Sequence, residues 1–192
     1  MRALRRPRLL PALGLGALVD GATFCTFTYL APLTTEVTGL AAGWVPGMPA
    51  LFGAGAFAGV TSAGRPADRR PLPVLRAGGA ALLVGWVLPA LAAGHTTATV
   101  LLVPLLGLLA FGVGSTLITR VLYEAADAPS LGTAFATSAL NAGAALGPVP
   151  GGAAIDRGLG FRAPVWVSGL LATPALAALT MTARDGRDRR PA

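Results

Sequence analysis

Residues 77–119 read AGGAALLVGWVLPALAAGHTTATVLLVPLLGLLAFGVGSTLIT: 43 positions without Asp, Glu, Lys or Arg, interrupted only by His95. A helix rises about 1.5 Å per residue, so roughly 20 mostly apolar residues cross a bilayer. This stretch is therefore long enough to cross twice, and the polar Gly94-His95-Thr96-Thr97 divides it. Three further uncharged gaps, Val37–Gly64, Ala128–Ile155 and Ala163–Ala183, are 28, 28 and 21 residues long. Barrel strands need only about 10 residues and alternate apolar with polar, which these runs do not. Over all 192 residues, 54% are apolar and 12% charged, about half the roughly 25% charge of a soluble domain. A mean hydropathy of +0.67 excludes disorder, despite 26 Gly and 16 Pro.

The pattern predicts an all-α integral membrane protein with six spans: Leu9–Ala31, Gly43–Ala63, Leu72–Ala92, Thr99–Thr119, Leu131–Ile155 and Ala163–Ala183. Residues 1–8 and 184–192 form basic tails around a membrane domain of residues 9–183. All 15 basic residues are arginine, and the net charge is +7. A pI near 11.4 would suggest nucleic acid in a soluble protein. Here the arginines sit at the ends of spans, so no nucleic-acid partner is expected. Thirteen fall on one side (the tails, Arg65, Arg69, Arg70, Arg76 and Arg120), and only Arg157 and Arg162 on the other. By the positive-inside rule both termini are cytoplasmic and His95 lies in an outer turn. The apolar stretch after Arg8 runs to Leu30 without a convincing cleavage site, so a cleavable leader is a poor reading.

Lipid tails are as apolar as leucine, so spans associate by close packing at small residues. Span two carries Gly43, Gly47, Gly55, Gly59 and Ala63 at multiples of four, broken by Leu51. Span five carries Gly143, Gly147 and Gly151, with Gly152 beside them, and Pro148 and Pro150 should bend it there. Both stripes predict close helix contacts.

Asp20 is the only carboxyl near the middle of a span. An ionised Asp there costs roughly 2.5–3.5 kcal/mol, so it should face protein or a water-filled cavity. Thr23, Phe24, Phe27 and Tyr29 or Ala31 share its helical face. An acid beside aromatic walls suits an amphipathic organic ligand; the alternative is interhelical glue. Span four offers Phe111, Ser115 and Thr119 one turn apart, either lining a pathway or packing. Asn141 reads as interhelical glue. A single His in a turn and a single cysteine, Cys25, leave no catalytic constellation and no metal cluster. No enzyme, cofactor or metal is expected, and Cys25 reads as a packing residue.

The segment Gly64-Arg65-Pro66-Ala67-Asp68-Arg69-Arg70 resembles the loop signature G-x-x-x-D-[RK]-x-G-[RK]-[RK] of the major facilitator superfamily, matched at Gly64, Asp68 and Arg69. The later Gly and basic pair are absent. The reading has a glycine end span two here, with Asp68 among arginines in a cytoplasmic turn. Span five matches that family's antiporter signature G-x-x-x-G-P-x-x-G-G in full, through Gly143, Gly147, Pro148, Gly151 and Gly152. The stretches Ala22–Pro32, Ala42–Pro46, Gly112–Ile118 and Leu140–Pro148 resemble the C-terminal half of chloramphenicol-efflux proteins of the superfamily. The family has twelve spans in two halves; this chain resembles one. The antiporter signature usually lies in the first half, but the first-half signature R-x-x-Q-G is missing from span four, where Arg120 comes too late.

The resemblance implies half of a proton-coupled drug exporter in a bacterial inner membrane, moving chloramphenicol-like amphiphiles and conferring antibiotic resistance by alternating access. Membrane lipid, drug and proton are the implied partners, with a second six-span half or a homodimer. Asp20 would handle the proton or a polar substrate group; Thr23, Phe24, Phe27, Phe111 and Ser115 would line the path. Gly64, Asp68, Arg69, Gly143, Gly147, Pro148, Gly151 and Gly152 would serve the conformational change. The rival reading is a truncated or split-gene half without transport of its own.

Overall fold

The computed structural model describes residues 9–69, 71–124 and 129–184. Both basic tails, apart from Arg184, thus lie outside the described residues, as does the Asp68 side chain. The described residues are helical, with no strand. The helices are α1 (Leu9–Thr28), α2 (Leu30–Pro32), α3 (Gly47–Arg69), α4 (Pro71–Ala92), α5 (Thr96–Glu124), α6 (Pro129–Leu146), α7 (Pro148–Ala154) and α8 (Ala163–Arg184). Taking α1 with α2 and α6 with α7 as interrupted rods gives six, in the predicted order. Leu9–Thr28, Leu72–Ala92 and Thr96–Tyr123 are each long and apolar enough to cross a bilayer, with mean hydropathies of 1.5, 1.7 and 2.2. In α3 and α6 glycines and hydroxyl side chains dilute the apolar content.

Proline sets where the rods break. Pro32 cannot donate to the carbonyl of Thr28, so span one does not run straight to Ala31. It jogs at Tyr29, whose amide turns to Thr26 at 3.2 Å, and ends in a π-turn, Leu33–Val37. Gly39, at φ +73°, closes that turn. Pro148 breaks α6 from α7 as expected. Gly147 keeps helical angles there (φ −55°, ψ −44°), so the rod continues past the missing hydrogen bonds.

Two expectations need correction. Span two does not start at Gly43: Ala42–Trp44 is a 3₁₀ turn, and α3 begins at Gly47, after Pro46. Nor does a glycine end the helix before Asp68. Pro66 is accommodated inside α3, no residue of 64–69 has positive φ, and the helix runs through Arg69.

The bundle is held by backbone meeting backbone. The most extensive pairing is α3 with α5, followed by α1 with α6. A Cβ on Gly55 would fall on the carbonyl of Pro104, one on Gly59 on that of Leu108, and one on Gly107 on that of Phe52. The second seam repeats this: Gly143 abuts the carbonyl of Ala17, and Gly147 that of Gly21. Gly43 has open space around it and Gly47 meets only its own Trp44 ring, so the span-two stripe is real from Gly55 onward. Without a hydrophobic drive between helices in lipid, this close contact carries the association. Helix α4 then packs on α5 and α8, around the buried Leu75, Leu82, Trp86 and Val165. Phe57, Leu101, Val149 and Leu170 remain exposed, an apolar exterior suited to a bilayer.

Candidate functional site

The faces of α1 are divided among its neighbours. Gly21 and Cys25 look toward α6 and α7, where Gly147 and Gly151 meet them. Thr26 looks toward α8, its hydroxyl 2.8 Å from that of Ser168. Asp20, Phe24 and Phe27 follow one another at four and three residues, on a face that neither seam occupies. Asp20 is half-buried and has no hydrogen-bond or ion-pair partner among the described residues.

From Phe24 a row of rings crosses the bundle. Phe24 and Phe27 meet edge to face, with centroids 5.9 Å apart and planes at 70°. Phe27 lies 4.9 Å from Phe52 of α3, tilted at 47°. Phe52 in turn meets Phe111 of α5 at 6.0 Å and 79°. These separations are those of favourable offset and T-shaped pairs. Phe24, Phe27 and Phe111, read from sequence as one wall, are thus joined by a fourth ring that the sequence reading missed. A signal for it existed: Phe52, Gly55 and Gly59 are spaced at i, i+3 and i+7, so Phe52 belongs to the face that the glycines press onto α5.

The hydroxyls are less available than their positions suggest. Thr23 is buried and donates to the carbonyl of Val19 at 2.8 Å. Ser115 donates to Gly112 at 3.1 Å, and Thr119 to Ser115 at 3.1 Å. Both spend their proton on their own helix and keep lone pairs for accepting. Asn141 is exposed.

The signature glycines divide. Gly64 has open space around it, and Arg69 is exposed at the last turn of α3. Gly143, Gly147, Gly151 and Gly152 all lie against α1 or its extension. A Cβ on Gly151 would sit 2.7 Å from Cys25 Sγ, and one on Gly152 would sit 2.5 Å from Tyr29 Oη. That hydroxyl donates to the carbonyl of Pro148 at 3.1 Å, tying α1 to the break between α6 and α7. At the opposite end of the bundle from Leu9, Thr38 Oγ1 lies 2.8 Å from the carbonyl of Ala93, and Thr96 donates to the Thr38 carbonyl at 3.2 Å. Near Leu9, α1, α5 and α6 close over Ala12, Val121 and Ala136. Thr38 and Ser168 were not singled out from sequence, and Tyr29 was read only as sharing the face of Asp20; their hydroxyls serve backbone carbonyls, which no local pattern reveals.

No family model matches the chain. Curated relatives do. It is 52% identical over 176 residues to a chloramphenicol resistance protein of Streptomyces lividans, covering 92% of this chain and 45% of that one. It is 33% identical over 185 residues to the inner membrane transport protein YdhP of Escherichia coli, covering 96% and 47%. A third relative, an uncharacterized MFS-type transporter YtbD of Bacillus subtilis, is 31% identical over 205 residues, covering 100% and 50%. The chain spans about half the length of these relatives. On these identities and the six helical rods, the chain belongs to the major facilitator superfamily, as one six-helix half of that fold.

Proposed function

We propose that this chain is the C-terminal half of a proton-coupled exporter of chloramphenicol-like amphipathic drugs, working by alternating access with a second six-helix half. The observation that carries this reading is the row Phe24, Phe27, Phe52 and Phe111, which begins one helical turn from Asp20 on a face of α1 that neither glycine seam uses and crosses to α3 and α5. Rings offer a nitrophenyl drug edge and face contacts. An unpartnered carboxylate in mid-bilayer is costly, so it gains from taking up a proton or pairing with a polar group of the drug. The name of the Streptomyces lividans relative supports the substrate class.

In this reading the tails and the end of α3 are cytoplasmic, supported by thirteen arginines against two. The membrane is a bacterial inner membrane, lipid surrounds the exposed apolar side chains, and the second wall of the cavity comes from the other half. Asp20 carries the proton; Phe24, Phe27 and Phe111 form this half's wall, and Ser115 accepts from a polar group. Gly143, Gly147, Gly151 and Gly152 let α6 and α7 move against α1 without side chains between them.

The test joins this chain to the remaining half of the Streptomyces lividans relative and measures chloramphenicol uptake into inside-out vesicles on acidification of the lumen. Uptake that collapses with the proton gradient and is lost in Asp20→Asn supports the reading. Gradient-independent uptake, or full uptake with Asp20→Asn, refutes it.

A further inference from the structure

We infer that Phe52 is a positioning residue that sets the shape of the drug-facing wall without itself touching drug. This rests on the reading of the phenylalanine row as that wall. Phe52 is only 7% exposed, whereas Phe24, Phe27 and Phe111 each keep a partly open surface. Its ring nevertheless bridges Phe27 of α1 and Phe111 of α5. It is the one member of the row with a ring partner on each of two other helices.

The backbone fixes where that ring sits. The carbonyl of Phe52 occupies the space a side chain at Gly107 would fill, so α3 rests directly on α5 at this height. Phe111 lies four residues after Gly107, one turn along the same face of α5. The contact at Gly107 therefore delivers the Phe52 ring to Phe111 with little slack. The tilt of 47° toward Phe27 and the near-perpendicular 79° toward Phe111 then orient both flanking rings. An aliphatic side chain here fills most of the volume but imposes no ring geometry, because the quadrupole that favours edge-to-face contact is gone. Phe27 and Phe111 then relax independently, and a planar aromatic drug loses a preorganised surface.

In the joined transporter, Phe52→Leu and Phe52→Met should raise the KM for chloramphenicol roughly fivefold, the factor corresponding to the loss of about one aromatic contact between wall and drug. Vmax per transporter in the membrane should stay within twofold, and Phe52→Tyr, which keeps the ring, should leave KM within twofold of the parent. A purely structural role would lower the amount of protein or Vmax and leave KM alone. Should Phe52→Leu fail to accumulate, Phe52→Met decides. Unchanged KM in the aliphatic variants, with a raised KM in Phe24→Leu and Phe111→Leu, overturns the inference and leaves the wall standing. Unchanged KM in Phe24→Leu and Phe111→Leu as well overturns both.

Discussion

Replacing Gly147 by alanine places one methyl group where α1 and α6 touch. That carbon would overlap the carbonyl oxygen of Gly21 and lie 2.6 Å from both its carbonyl carbon and its Cα. Non-bonded carbons prefer about 3.5–4.0 Å, so the two backbones must part by roughly 1 Å. Overpacking of this kind costs about 1–3 kcal/mol. Gly147 also precedes Pro148 with helical angles, a conformation that disfavours a residue bearing a Cβ. Gly143→Ala isolates the packing part, since its clash is with the carbonyl of Ala17 and no proline follows. The sole cysteine, Cys25, is buried on the same seam beside Gly151 and serves as the reporter. A thiol-reactive dye reaches it when α1 separates from α6 and α7, so its labelling rate follows the opening equilibrium. For Gly147→Ala we expect that rate, in detergent, to rise roughly five- to hundredfold. Gly143→Ala should fall at the lower end of the range, and Gly147→Leu at or beyond the upper. Gly14→Ala, whose new methyl meets nothing within 4 Å, should leave the rate unchanged. A labelling rate within twofold of the parent for both Gly147→Ala and Gly143→Ala would refute the claim that these helices are held by bare backbone contact.

Gly152→Ala displaces only the far end of the Tyr29 side chain and its hydrogen bond to Pro148; the labelling rate should rise about fivefold, matching Tyr29→Phe. In a Cys25→Ala background, cysteines at positions 95 and 157 should react with an impermeant thiol reagent from outside the cell, and one at position 69 should not; labelling at 69 sinks the proposed orientation. On the proposed reading, in which six helices supply one wall of a two-walled cavity, the chain expressed alone should give no chloramphenicol tolerance above empty vector; co-expression with a matching six-helix half should restore some. Tolerance from the chain alone that Asp20→Asn abolishes would instead identify a working homodimer.

The rods were legible because arginine is absent from long runs, and a bilayer punishes charge strongly enough to make that absence diagnostic. The seam partners were half legible. Spacing by four marked Gly55, Gly59, Gly143 and Gly147 correctly, but it also swept in Gly43, which precedes the helix and has no helical register to share. The end of α3 was misread because Gly64 and Pro66 are helix breakers in water, and neither breaks this helix. Within the site, helical spacing put Phe24 and Phe27 on one face, while the union with Phe111 depended on a ring from α3 that only tertiary packing brings between them. Thr23 shared the face of Asp20 by count, yet its hydroxyl turns back to Val19, a choice open to any threonine in a helix.

The α1–α6 seam also fixes an order of events on the ribosome. Gly21 and Gly147 are about 126 positions apart, so at roughly 5–20 residues per second α1 waits some 6–25 s for its partner to be synthesised. It can wait because it is apolar enough to reside in lipid by itself. Helix α6, carrying Ser130, Thr133, Thr137, Ser138 and Asn141, is a poorer candidate for solitary residence and arrives with a groove already waiting for it. The early helix is thus a template and the late one its casting. A glycine replaced on α6 is therefore felt first when the late helix meets the early one, as the bundle assembles.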